Sequence, residues 1–72
     1  MPDNPEVKIA TADALTLLLH NQHALAAAIE EVALWVRAKG SNEIHENATT
    51  ALQTLDENAL ALSKAIYQIR RG

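Results

Sequence analysis

Two apolar stripes at helical spacing, separated by one short turn signal, constrain this chain more than any other feature. The first runs Leu15, Leu18, Gln22, Leu25, Ile29, Val32 and Val36. The second runs Ile44, Ala48, Leu52, Leu55, Ala59, Leu62, Ile66 and Ile69. Steps that alternate between three and four residues hold each set on one face of a helix. Between the stripes, Lys39-Gly40-Ser41-Asn42 reads as the end of one helix and the start of the next. Arg37 and Lys39 complement the negative end of the first helix, and Gly40 suits the left-handed position after it. Ser41 is the expected N-cap of the second helix, with Glu43 and Glu46 in its first turns. The expected fold is all-α: an antiparallel two-helix hairpin, with helix 1 over about 11–38, a turn at 39–41 and helix 2 over about 42–70.

Two starts compete for helix 1. Asn4-Pro5-Glu6 supplies an N-cap, a proline at the first helical position and an acid in the first turn. Thr11-Ala12-Asp13 supplies a second cap with its own acid. In a hairpin folded about Gly40 and Ser41, paired positions sum to roughly 81 by the helical rise. Ile69 then falls opposite Ala12, and upstream of it the seam positions Lys8 and Thr11 are polar. The balance favours Thr11, with residues 1–10 as an arm, extended or wound into an extra helical turn, and residues 11–72 as the single hairpin domain.

The same rule places Ile29 opposite Leu52, Leu18 opposite Leu62 and Leu15 opposite Ile66. One layer differs from the rest. Gln22 falls opposite Asn58 and Ala59, so a pair of amides interrupts an otherwise apolar seam. A buried amide pair lowers stability relative to leucine but can fix register and oligomer state, because a slip leaves amides unpaired.

More apolar surface is present than one hairpin seam can cover. Hydrophobic residues make up 49% of the 72, and although fourteen are alanine, large side chains remain outside both stripes. Leu17, Ala24, Ala28, Leu34 and Trp35 on helix 1, with Leu60 and Tyr67 on helix 2, are candidates for an oligomer interface. Ordering the chain costs about 1–2 kcal/mol per residue in backbone entropy, which one seam returning about 25 cal/mol per Å² struggles to offset. The expectation is a homodimer of hairpins closing into a four-helix bundle. The surplus face would also suit an apolar helix of another protein.

Chemical motifs are sparse. With no cysteine, disulfides and thiolate metal sites are excluded. His20 and His23 share a face at i, i+3, but no acid lies beside them and the Glu-x-x-His pattern of di-metal bundles is missing. Glu30 and Glu31 diverge on the helix, as do Asp56 and Glu57, so neither pair converges for acid–base work. Two glycines cannot build a phosphate loop. No catalytic residue, metal ligand or cofactor is therefore assigned, and the expected role is non-enzymatic.

A net charge of −3 argues against a nonspecific nucleic-acid binder. Lys64, Arg70 and Arg71 form the cationic cluster that an RNA-binding hairpin dimer would use, which is the alternative reading. No stretch is long and apolar enough to span a bilayer, and the acidic start Met-Pro-Asp-Asn-Pro-Glu lacks a signal-peptide pattern. The chain thus reads as a cytoplasmic, self-associating interaction or regulatory module.

Overall fold

A computed structural model describes residues 4–72 as two helices, α1 (Pro5–Ala38) and α2 (Asn42–Arg71), folded back on each other. The hairpin is a rod with extents of 56 × 15 × 15 Å.

Helix α1 begins at the earlier of its two candidate starts. Asn4 is extended, and its Oδ1 accepts hydrogen bonds from the backbone N–H groups of Glu6 at 2.9 Å and Val7 at 3.3 Å. Pro5 occupies the first helical position, where its missing N–H leaves nothing unpaired. The expected start at Thr11 is corrected accordingly. Thr11 is a mid-helix residue whose hydroxyl donates to the Val7 carbonyl at 2.7 Å. The upstream turns do not overhang, because Pro5, Lys8 and Ile9 line one groove with Ile69, Arg70 and Gly72 at the end of α2. Met1 to Asp3, the remainder of the expected arm, lie outside the described residues.

The turn follows its sequence signals closely on one side. Gly40 has φ +90°, the left-handed conformation that glycine adopts without steric strain. Its N–H donates to the Arg37 carbonyl at 3.0 Å, and the Ser41 N–H donates to the Val36 carbonyl at 3.2 Å. This nested pair of bonds is the Schellman closure of a helix C-terminus. Ser41 does occupy the N-cap position of α2, but its side chain makes no capping hydrogen bond. Its backbone is already held by the closure of α1, while its carbonyl accepts from the His45 N–H at 3.2 Å.

The α2 face turned toward α1 is nearly the expected one. Ala48, Leu52, Leu55, Ala59, Leu62, Ile66 and Ile69 are all half-buried. His45 takes the place expected for Ile44, which is exposed. The α1 stripe requires a larger correction. Leu15, Gln22, Ile29 and Val36 do face α2, but Leu18, Leu25 and Val32 are 57–58% exposed. In their place stand Leu19, Ala26 and Ala33, continuing upstream to Ala12. Ala12 and Ala33 are the buried residues of α1, at 0% and 4% exposure. Alanine at these points lets α2 approach the α1 backbone closely, so the leucines and isoleucines of α2 fill the space between the helices.

Candidate functional site

Both helices therefore carry two overlapping stripes rather than one. On α1, the stripe through Leu19, Ala26 and Ala33 and the stripe through Leu18, Leu25 and Val32 share Leu15, Gln22, Ile29 and Val36. On α2, the inward line through Leu52, Ala59 and Ile66 overlaps a second line through Ile44, Ala51, Asn58 and Ala65. The two second lines open on the same side of the rod. Val32 and Ile44 line one apolar groove together with Ala28 and Ala48. Farther along that side, Gln22, Asn58, Ala61 and Ala65 line a shallower one.

Between Leu18 and Val32 of α1, and between Ile44 and Ala61 of α2, this side carries no formal charge; Lys39, one heptad beyond Val32, stands at its turn end. From α1 it displays Leu18, Asn21, Leu25, Ala28 and Val32; from α2 it displays Ile44, Asn47, Ala51, Thr54, Asn58 and Ala61. The opposite side is charged. There Glu30, Leu34, His45 and Asp56 surround one groove. Nearer the chain ends, Arg70 donates from Nη2 to Asp13 at 3.0 Å and to Thr16 at 3.3 Å.

The amide layer expected from the sequence is brought together in space. Gln22 and Asn58 line the same groove, but they do not bond to each other. Gln22 Nε2 donates instead to the Leu55 backbone carbonyl at 2.7 Å. That bond reaches from one helix to the other and leaves the Asn58 amide exposed on the uncharged side.

The seven candidate interface residues are all exposed, and they do not gather on one surface. Leu17, Ala24, Ala28 and Trp35 follow one line along α1, most of it turned away from α2. Leu34 lies on the charged side, and Leu60 and Tyr67 follow a separate line on the outside of α2. Of the seven, Ala28 borders the uncharged apolar groove. Trp35 stacks with the Lys39 ammonium at 5.7 Å. The residues that sequence reasoning missed as open surface are Leu18, Leu25 and Val32, because it had assigned them to the hairpin seam. Leu18–Leu25–Val32 is a strict heptad repeat, but Leu15–Gln22–Ile29–Val36 has the same spacing, so the pattern marks an apolar line without telling which line faces α2.

The cationic cluster is partly committed within the chain. Arg70 is engaged by Asp13 and Thr16, and Arg71 lies 5.9 Å from the Tyr67 ring centre, leaving Lys64 exposed beside them. His20 and His23 are exposed, and among the described residues no group of three or more His, Asp or Glu side chains could hold a metal ion. No described helix is long and apolar enough to cross a membrane.

Among the described residues no large side chain is fully buried. The hairpin exposes 5593 Å², whereas a compact monomeric protein of 7.8 kDa exposes about 4,400 Å². Its radius of gyration is 16.5 Å against about 11 Å for a compact chain of this length. No protein-family model matches the chain, and neither does any curated protein or solved structure compared with it.

Proposed function

We propose that this chain is a small, non-enzymatic helical-hairpin module that works by self-association, two hairpins closing into a four-helix bundle that serves protein–protein interaction or regulation in the cytoplasm. The observation that carries this reading is the missing core: the two helices pack, yet their largest apolar side chains stay in water. Eleven large apolar residues are more than half exposed, among them Leu17, Leu25, Trp35 and Tyr67. They are spread around the rod, but Leu18, Leu25, Val32 and Ile44 share one side, and apolar surface gathered in that way is what a second copy would cover. The hairpin supports a bundle architecture, since each helix has one face given to its partner helix and a further, mostly apolar line beside it.

Sedimentation equilibrium tests this directly. The expected result is a species of twice the 7.8 kDa chain mass at micromolar concentration, with a melting temperature that rises with protein concentration. A folded monomer with concentration-independent melting would overturn the proposal.

A further inference from the structure

Resting on the self-association reading, we infer which face the second copy covers: the uncharged side bearing Leu18, Leu25, Val32 and Ile44, with Gln22 and Asn58 of both copies meeting in one central amide layer. Three observations converge on that occupant.

The first is area. Two separate hairpins expose about 11,200 Å², and a compact protein of their combined mass exposes about 7,200 Å². The excess, roughly 4,000 Å², is of the size that obligate homodimers bury, about 2,000–5,000 Å². A partner covering one small patch would leave most of it open.

The second is charge. Between Leu18 and Val32 this face carries no charged side chain, Lys39 standing at its turn end, while Asp13, Glu30, Asp56 and Arg70 are gathered on the opposite side. Packing two uncharged faces together leaves every one of those charges in water, whereas any docking through the opposite side would desolvate them.

The third is symmetry. A two-fold contact sets the same patch against itself, so a polar layer is matched only where it meets its own copy. Gln22 and Asn58 lie within one helical turn of the middle of the seam, level with each other. A second hairpin related by a two-fold axis therefore brings its own amides to that level, whichever way its turn points. Asn58 gains a partner there, while Gln22 keeps its bond to Leu55.

The test compares the same change on the two sides of the rod. Leu25→Lys is expected to convert the dimer to monomer in sedimentation equilibrium, and Leu34→Lys, on the charged side, to leave it dimeric. Because Leu25→Lys could simply unfold the chain, small-for-small cysteine variants provide an independent reading. Ala51→Cys should react with iodoacetamide at least about tenfold more slowly than Ala24→Cys at micromolar protein, and the protection should vanish on dilution to monomer. Asn58→Leu should raise the melting temperature while broadening the assembly beyond a single dimer. A monomeric parent chain overturns self-association altogether. A parent dimer that survives Leu25→Lys, or that leaves Ala51→Cys as reactive as Ala24→Cys, overturns this face alone. An Asn58→Leu dimer unchanged in both stability and uniqueness removes the amide layer.

Discussion

The two helices differ in how completely each declares its buried side. Helix α2 is the more amphipathic of the two, with Thr50, Gln53, Glu57 and Lys64 on its outer surface, although Leu60 and Tyr67 are exposed there as well. Helix α1 is apolar around most of its middle, with Leu17, Leu18 and Leu19 consecutive and Ala26, Ala27 and Ala28 likewise. An amphipathic helix has one rotation that hides its apolar stripe, whereas a helix that is apolar on several sides has more than one of similar merit. What α1 turns inward is then set by fit. Ala12, Ala26 and Ala33 are the small residues on the α1 face toward α2, where Leu15 and Leu19 also stand, while Leu17, Leu18, Leu25 and Leu34 remain exposed.

The largest expected effect breaks the seam from the α2 side. Leu62 is half-buried and lies on both α2 lines, facing α1 and bordering the open groove. Leu62→Ala should lose about 2–3 kcal/mol in urea unfolding at fixed protein concentration. A loss below about 0.5 kcal/mol would mean that α2 does not supply the bulk of the packing.

Enlarging the α1 side is the converse. Ala33→Leu places a large side chain where the residue is 4% exposed, and should destabilise by about 1–3 kcal/mol through overpacking. If the variant instead melts higher, the close approach of the helices at Ala33 is not what orients α1.

The smallest effect compares the two helix starts. Asn4→Ala removes a side chain that accepts two backbone N–H groups and should cost about 1 kcal/mol, whereas Ser41→Ala removes no capping bond and should change stability by only a few tenths. Equal losses at the two positions, measured by thermal unfolding, would show that Ser41 caps α2 after all.

Much of the hairpin was legible in the residues. Gly40, the cations before it and the spacing of Leu52, Leu55, Leu62 and Ile66 each specify local conformation or a face without reference to anything distant. The candidate site was only partly legible. The Gln22–Asn58 layer could be placed by counting from the turn, because hairpin register is fixed by the turn position. Leu18, Leu25 and Val32 could not be told from seam residues, since a heptad pattern states that a stripe is apolar and not which neighbour it meets.

By itself, then, the sequence determined two helices, the turn between them and the buried face of α2, all of which follow from capping chemistry and from a single apolar period. Only the tertiary structure decided the rotation of α1 and the choice of Asn4 over Thr11 as its start. The rotation depends on the volume that α2 offers at each level. The start depends on the last turn of α2 being present beside Pro5, Lys8 and Ile9, so that the extra helical turns have something to pack against. Both are decisions between locally acceptable conformations, and such ties are broken by packing across the chain rather than along it.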